Sequence, residues 1–204
     1  MRVGVVSDVH NNAEALSYAL DSLRGCELIL SLGDLVSQYR ATPEILSLAR
    51  DAQLTGIVGN HEKTILAPCG TPVRSRLAAD DLNYLVALPH GREMEIDGRK
   101  LSISHGAPWD DPDDMGCEYV FESDTAKMKR LAATPADIVL IGHTHFGMLL
   151  RAGGKLLLNP GSCGEARDAA RRLSFAELDF AAGKATVYEI RHGSPPEPML
   201  IEEF

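Results

Sequence analysis

Five short apolar segments of this chain end at side chains that can bind a metal ion or transfer a proton. The segments and the residues that follow them are VGVVS before Asp8 and His10, LILSLG before Asp34, LTGIVG before Asn60 and His61, KLSIS before His105, and IVLIG before His143 and His145. Short apolar runs of this kind predict buried strands. Because ligand sites of α/β sheets form beyond the carboxyl ends of the strands, we expect these side chains to meet at one place.

The segments between these strands carry helix signals. A helix is predicted over 11–25, with Ala13, Leu16, Leu20 and Leu23 on one stripe and Gly25 at its end. Another is predicted over 41–51, where Thr42 is the expected cap and Pro43 and Glu44 suit the first turn. Further helices are expected within 62–89, interrupted by a loop over 67–76 and clearest over 78–89, and over about 122–133.

The second half of the chain is typical of hairpins. Turns are predicted at Asp97-Gly98, a pair suited to a type I′ turn, at Gly153-Gly154 and at Ala182-Gly183. The prolines of the tail, residues 193–204, predict that it is irregular. Strand–helix units at one end and hairpins at the other predict a layered α/β architecture with mixed sheets, as one domain over residues 1–204.

Composition narrows the function classes. The net charge of −9 argues against stable binding of nucleic acid, which requires Lys and Arg at the phosphates. No apolar stretch approaches the roughly 18 residues of a membrane span, and nothing at the N-terminus is typical of a signal peptide. The four cysteines form no Cys-x-x-Cys pair, which argues against a zinc ribbon. We expect a reduced, cytoplasmic protein that does not bind membranes, and a homo-oligomer is compatible with the sequence.

The donors at the strand ends suit a dinuclear metal centre. Taken singly, Asp-x-His and Gly-Asp are more typical of a helix cap or a turn, a strand-end histidine is more often structural, and Gly-His-x-His is balanced between a turn and a ligand pair. Five such motifs in succession are not explained that way. The seven expected ligands are four imidazoles, two carboxylates and one amide: Asp8, His10, Asp34, Asn60, His105, His143 and His145. Seven donors exceed what one ion with an open position needs, and they suit two ions that share a carboxylate. Imidazole-rich sites favour divalent transition metals, with manganese foremost and iron, zinc, cobalt or nickel as alternatives.

With these residues assembled, the chain resembles the calcineurin-like metallophosphoesterase superfamily, in particular its small single-domain bacterial and archaeal phosphodiesterases. The resemblance rests on SDVH, LGDL, GNHE, SHG, GHTH and NPGS, which occur in the family's order between residue 8 and about residue 162. It implies a four-layer α-β-β-α sandwich with two mixed sheets between helices. It also implies that Asp8, His10 and His145 hold one metal, that Asn60, His105 and His143 hold the other, and that Asp34 bridges them.

The resemblance further implies hydrolysis of a small phosphodiester by in-line attack of a hydroxide between the two ions. His61 and Asp34 are the expected catalytic residues, with His61 stabilising phosphate charge or protonating the leaving oxygen. Asn11, Asn60, His61 and Arg167 are the expected substrate contacts. A phosphomonoesterase or a protein or nucleotide phosphatase on the same site is the alternative within enzymes. A non-catalytic scaffold that retains the fold is the alternative from another class.

Some positions depart from the family pattern. Asn11 stands where glycine is common after Asp-x-His, and GDLVSQY lacks the Asp-Arg-Gly continuation of the phosphoprotein and dinucleoside-tetraphosphate phosphatases. The loop over 107–118 carries four aspartates and is expected to repel polyanions, unless it is only a solvated loop. In that loop Trp109 either stacks on a base or pins the loop. Cys163 is expected to be a small packing residue rather than a nucleophile.

Overall fold

The computed structural model describes residues 1–109 and 118–204. Its helices are α1 (Ala13–Ser22), α2 (Pro43–Asp51), α3 (Asn60–Leu66), α4 (Ala79–Ala87) and α5 (Thr125–Ala132). Its strands are β1 (Arg2–Val6), β2 (Leu28–Ser31), β3 (Thr55–Gly56), β4 (Gly91–Ile96), β5 (Arg99–Ser104), β6 (Ile138–Leu140), β7 (Gly147–Ala152), β8 (Lys155–Pro160), β9 (Ser174–Asp179), β10 (Lys184–Glu189) and β11 (Glu197–Glu203). No helix among the described residues is long and apolar enough to cross a membrane.

Two mixed sheets form the centre of the fold. The first has six strands in the order β11-β10-β9-β1-β2-β3, and the second has five in the order β4-β5-β6-β8-β7. Strands β1, β2 and β3 are parallel to one another, as are β5, β6 and β8, and the other pairs are antiparallel. The parallel strands therefore bring their carboxyl ends to one edge of each sheet.

Three apolar clusters fill the spaces between the layers, one between the two sheets and one between each sheet and its helices. Alternate residues of β6 show the arrangement, because Ile138 and Leu140 pack between the two sheets whereas Val139 packs outward with Leu131 of α5. On the other side, Leu16 of α1 belongs to the cluster that joins the first sheet to helices α1–α4. The order of layers is helices, sheet, sheet, helix, which confirms the predicted α/β sandwich.

Most element boundaries follow local chemistry. Helix α1 begins after Asn12, whose side-chain Oδ1 accepts a hydrogen bond from Ala15 N at 3.1 Å, and ends three residues before the predicted Gly25. Thr42 precedes α2 as predicted, but its hydroxyl makes no capping hydrogen bond. Both residues of the Asp97-Gly98 turn have positive φ, 49° and 77°, as a type I′ turn requires. The predicted third strand is reduced to two residues, Thr55–Gly56.

The prediction of an irregular tail is wrong. Residues Glu197–Glu203 form β11, the edge strand of the first sheet, which pairs antiparallel with β10. Proline is tolerated in edge strands and at bulges because one side of such a strand needs no donor. Pro195 and Pro196 precede the strand, and Pro198 lies opposite Tyr188, where the register shifts. The proline rule for strand interiors therefore does not apply to this segment.

Candidate metal centre

The loops that follow the parallel strands bring all the predicted donors to one edge of the sheets. Asp8 and His10 follow β1, Asp34 follows β2, Asn60 and His61 begin α3 after β3, His105 follows β5, and His143 and His145 follow β6. Six of these eight side chains are buried, namely Asp8, His10, Asp34, His105, His143 and His145. Burying so many ionisable groups is costly unless they bind one another or a cation. The burial of these six side chains together therefore indicates a binding site.

Five of these residues have a left-handed backbone. The φ angles of Asp8, His10, Asp34, His143 and His145 lie between 46° and 68°. Left-handed backbone costs a non-glycine residue about 1 kcal/mol or more and is concentrated at functional sites. Because the strand ends turn so sharply, both histidines of the Gly-His-Thr-His motif point toward the other donors. With one residue, Thr144, between them, the two left-handed histidines direct their side chains to the same site.

Glycines admit the close approach of these loops. A Cβ atom on Gly59 would lie 2.1 Å from Asp34 Oδ1, and a Cβ atom on Gly142 would lie 2.2 Å from Ser7 Oγ. Both distances are far below van der Waals contact. The glycines of the GNHE and GHTH motifs are therefore required by the packing of neighbouring loops against the carboxylates.

Asp8 is held from one side only. Its Oδ2 accepts hydrogen bonds from Ser7 Oγ at 2.6 Å and from His143 N at 3.0 Å. Its Oδ1 is buried without a hydrogen bond, 3.2 Å from His145 Nε2 and 3.8 Å from His10 Nε2. Burial acts to raise the pKa of Asp8, but the neighbouring His145 and His105 and the Ser7 hydroxyl outweigh it and hold the pKa well below its usual value. The free oxygen is therefore a charged atom aimed at the imidazoles.

Asp34 lies between the two groups of imidazoles. Its Oδ2 is 3.2 Å from His105 Nε2 and 3.9 Å from both His10 Nε2 and His61 Nε2. Its Oδ1 accepts a hydrogen bond from His61 N at 2.9 Å. Burial opposes ionisation of Asp34, but the charge and the hydrogen bond of His105 prevail and lower its pKa. An ionised oxygen that faces both groups is the arrangement that a bridging ligand needs.

Three groups of donors have ligand atoms within 4.8 Å of one another. They are Asp8, His10 and His145, then Asp34, His105 and His143, and a third formed by His10, Asp34 and His61. Asn60 adjoins the second group, since its Oδ1 is 3.0 Å from His105 Nε2. Asp34 belongs to two of the groups. The side chains predicted as ligands are therefore adjacent, in the two sets that the resemblance implies.

The protonation of the imidazoles fits a cation site. Burial and the neighbouring His105 lower the pKa of His143 to about 4, and burial also lowers that of His10, so both rings are neutral and can offer a lone pair. His105 differs, because burial opposes its protonation but Asp34 and Asp8 outweigh burial and raise its pKa to about 9, so its ring carries a proton that a bound cation would displace. His10 Nε2 and His145 Nε2 lie 3.1 Å apart, and His10 Nδ1 and His143 Nε2 are buried without hydrogen bonds. Imidazole and carboxylate donors so placed suit divalent transition metals.

Backbone contacts fix the orientation of three rings. His105 Nδ1 lies 2.8 Å from the Leu32 carbonyl oxygen, which leaves its Nε2 toward Asp34, and His145 Nδ1 contacts the Glu165 carbonyl oxygen. Such carbonyl contacts hold the other ring nitrogen ready to bind a metal. His61 Nδ1 accepts a hydrogen bond from Gln38 N at 2.9 Å, so neutral His61 carries its proton on Nε2. His61 can therefore donate a hydrogen bond into the site.

Glu62 supports the site in a way that was not predicted. Its carboxylate is fully buried and accepts hydrogen bonds from Asp34 N and Gly59 N, each at 2.8 Å, and from Val36 N at 3.0 Å. Burial and the charge of Asp34 raise its pKa to about 7 against the effect of these three bonds. Glu62 thereby joins the loop after β2 to the start of α3. Its position three residues after Gly59, where a glutamate caps a helix, is the one sequence signal for this role.

The other predicted substrate contacts are engaged elsewhere. Asn11 donates from Nδ2 to the Arg40 carbonyl and accepts at Oδ1 from Thr42 N, so its side chain holds the 40–42 loop. Its φ of 66° explains why it occupies a position where glycine is common, since asparagine tolerates left-handed backbone. Arg167 is half-exposed and pairs with Glu165 at 3.7 Å. A role of Asn11 or Arg167 in substrate binding stays a prediction.

The loop after β5 is described only at its ends. The acidic stretch predicted to repel polyanions lies at 110–114, outside the described residues. Trp109 packs with the outer cluster of the second sheet, and the guanidinium of Arg130 lies over its ring at 4.2 Å. These contacts favour a packing role of Trp109 over stacking on a base. Cys163 is fully buried, and burial raises the pKa of its thiol to about 12, which agrees with a packing role.

Comparison with known proteins identifies related chains. A family model described as the calcineurin-like phosphoesterase superfamily domain matches residues 1–183. A probable metallophosphoesterase of Methanothermobacter thermautotrophicus is 30% identical over 166 residues, which cover 79% of this chain and 77% of that protein. A phosphodiesterase of Methanocaldococcus jannaschii is 24% identical over 165 residues, 80% of this chain and 84% of that protein. The crystal structure of a metallophosphoesterase from Sphaerobacter thermophilus has a TM-score of 0.73 at 26% identity and covers 94% of this chain and 89% of that one.

Proposed function

The chain belongs to the calcineurin-like phosphoesterase superfamily, and on that premise we propose that it is a dinuclear metal-dependent phosphodiesterase. The observation that carries the proposal is the position of Asp34, whose Oδ2 faces His105 of one donor group and His10 of the other. A carboxylate shared in this way is what a two-ion site requires. The phosphodiesterase name of the relative from Methanocaldococcus jannaschii agrees with this class of reaction.

The residues of the chain divide the work of such a site. Asp8, His10 and His145 would hold one ion, Asn60, His105 and His143 the other, and Asp34 both. Two bound transition-metal ions would supply activation of water and neutralisation of the charge that develops on the phosphate. His61, with its proton on Nε2, would donate to a phosphate oxygen or to the leaving oxygen. Asp34 Oδ1, which accepts from His61 N, would hold His61 at the edge of the site.

The charges around the site favour a diester over a monoester. A monoester brings a second negative charge, which needs further cationic donors. Among the residues that the structure describes, no Lys or Arg side chain forms an ion pair with Asp8 or Asp34, and the carboxylate of Glu118 lies 3.6 Å from His143 Nε2. These surroundings support a singly charged phosphate as the substrate. Manganese is the metal we expect, because the donors are imidazoles mixed with carboxylates.

The proposal is tested by comparing hydrolysis of bis-p-nitrophenyl phosphate with that of p-nitrophenyl phosphate in the presence of Mn²⁺. We expect faster hydrolysis of the diester, and we expect Asp34→Asn to abolish it. Asp21→Asn is the matched control, because Asp21 is an exposed aspartate of α1 paired with Arg24. Equal rates in wild type and Asp34→Asn would refute the mechanism. A faster monoester reaction would select the phosphomonoesterase alternative, and a folded, metal-loaded protein without activity on either ester would select the scaffold.

A further inference from the structure

A concave pocket with both polar and apolar walls lies next to the loop that carries His143 and His145 after β6. It lies between the segment before α5 and the loop that leads into β7, and its volume is about 540 Å³. Its walls include Val120, Phe121, Glu122, Thr144, Phe146 and Met148. Thr144 stands between the predicted ligands His143 and His145 in the chain, so the segment that carries these ligands also forms one wall of the pocket. Pockets of this volume suit a group the size of a nucleoside.

A series of aromatic rings connects this pocket to the metal centre. The ring of Tyr119 lies against that of His143 with centroids 4.1 Å apart. Tyr119 is parallel to Phe121 at 6.4 Å, and Phe121 meets Phe146 edge to face at 5.8 Å. Tyr119, Phe121 and Phe146 are each about 40% exposed, among the largest exposed apolar side chains of the described residues. Neighbouring exposed rings at the rim of a site are typical of binding surfaces rather than of ordinary protein surface.

The charges at the pocket restrict what it can bind. Glu122 lines it, Glu118 lies at the adjacent His143, and the described residues that line it include no Lys or Arg. A second phosphate or another anion would therefore be repelled. A flat, uncharged ring that carries hydrogen-bond donors, such as a nucleobase, would stack on the aromatic rings and could donate to the carboxylate of Glu122.

We propose that this pocket binds a planar aromatic group, of the nucleobase kind, carried by one of the two alcohols of the phosphodiester substrate. The inference rests on the proposed function, since it assigns the substrate class of the same site. The series of ring contacts that runs from His143 through Tyr119 to Phe121 and Phe146 is the reason for choosing a substrate group as the occupant rather than a second copy of the chain. Phe121 and Phe146 are then specificity-determining residues.

Two diesters with the same leaving group test the proposal. Methyl p-nitrophenyl phosphate offers nothing to the pocket, whereas the p-nitrophenyl ester of thymidine 5′-phosphate offers a base. We expect wild type to prefer the thymidine ester in kcat/KM by about 5-fold or more, chiefly through KM, as base stacking predicts. Phe121→Ala and Phe146→Ala should each reduce this preference toward unity. Phe204→Ala should retain it, because Phe204 pairs edge to face with Phe180 just beyond the ends of β11 and β9, and neither residue lines the pocket.

A binding experiment separates failure of this inference from failure of the proposed function. If wild type hydrolyses neither ester, thymidine is titrated into the metal-free protein and followed by NMR. Shifts at Phe121 and Glu122 that disappear in Phe146→Ala would support the pocket even then. Equal preference in wild type and both phenylalanine variants would overturn the inference. It would also be overturned if sedimentation shows a dimer that Phe146→Ala dissociates while the substrate preference is unchanged.

Discussion

Replacing Glu62 tests whether a buried carboxylate holds the two loops that present Asp34 and Asn60. The carboxylate accepts three backbone N–H groups, from Asp34, Val36 and Gly59, at 2.8–3.0 Å. Leaving one buried donor without a partner costs about 1–3 kcal/mol. Glu62→Ala leaves three such donors, so we expect it to lose about 3 kcal/mol or more, against a total stability of about 5–15 kcal/mol for a protein of ordinary stability.

The substitution Glu62→Gln gives a finer measurement. Its amide oxygen can replace Oε2, which accepts from Asp34 N and Gly59 N, but its amide NH₂ would face the Val36 N–H. One hydrogen bond is thus lost and two donors oppose each other, so we expect the free energy of unfolding to fall by about 1–3 kcal/mol. The two remaining bonds also lose their ionic character, which adds to the loss.

The assay is equilibrium unfolding in urea of metal-free protein. Glu44→Gln provides the matched control, because Glu44 is exposed in the first turn of α2, and we expect it to change the free energy by less than about 0.5 kcal/mol. If the free energy of unfolding of Glu62→Gln equals that of wild type within that margin, the three hydrogen bonds to Glu62 do not hold the two loops together. A loss of diesterase activity without loss of stability would likewise contradict the account, since Glu62 is held to act through the loops.

Two further substitutions test other parts of the fold. Gly59→Ala should destabilise the protein by about 1–3 kcal/mol in urea unfolding, because the added Cβ would lie 2.1 Å from Asp34 Oδ1. Gly56→Ala is the control and should cost less, because its Cβ would lie 3.3 Å from its nearest neighbour. Equal losses of stability in the two variants would show that the contact with Asp34 is not what requires Gly59. Partial burial acts to raise the pKa of Asp168, but hydrogen bonds from Arg172 outweigh it and lower that pKa in the folded protein. The ionised carboxylate therefore stabilises the fold at pH values above 3.8, its pKa in the unfolded chain, and this contribution is lost as the pH falls through the lower pKa of the folded state. Asp168→Asn should therefore be less stable than wild type by about 1 kcal/mol at pH 7. In unfolding experiments this difference in the free energy of unfolding should shrink below about pH 4, and a difference that does not change with pH would show that ionised Asp168 does not stabilise the fold.

The positions of the donors were predictable because they follow from strand ends. Each apolar run identified a strand, and parallel strands of one sheet end at a common edge, so Asp8 was expected near Asp34 and His105 near His143. The layered fold was predictable for the same reason. What the sequence could not provide was the orientation of each ring, which depends on contacts such as that of His61 Nδ1 with Gln38 N.

Other features depend on contacts between distant segments. Glu62 reads as a helix cap from its spacing, and nothing local indicates that it also accepts from Asp34 N and Val36 N, 28 and 26 residues away. Tyr119 and Phe121 follow an acidic stretch without helical or strand periodicity, so their stacking beside His143 carried no signal. The tail was mispredicted because the cost of proline depends on whether a strand is at the edge, which is a property of the whole sheet.

We propose above that these donors bind two metal ions through a shared Asp34. The most direct measurement is the metal content per chain, by inductively coupled plasma mass spectrometry, after reconstitution with Mn²⁺ and gel filtration. We expect two equivalents of manganese in wild type and in the Asp21→Asn control, and fewer in folded Asp34→Ala. Wild type that retains no manganese, or Asp34→Ala that retains two equivalents, would contradict it.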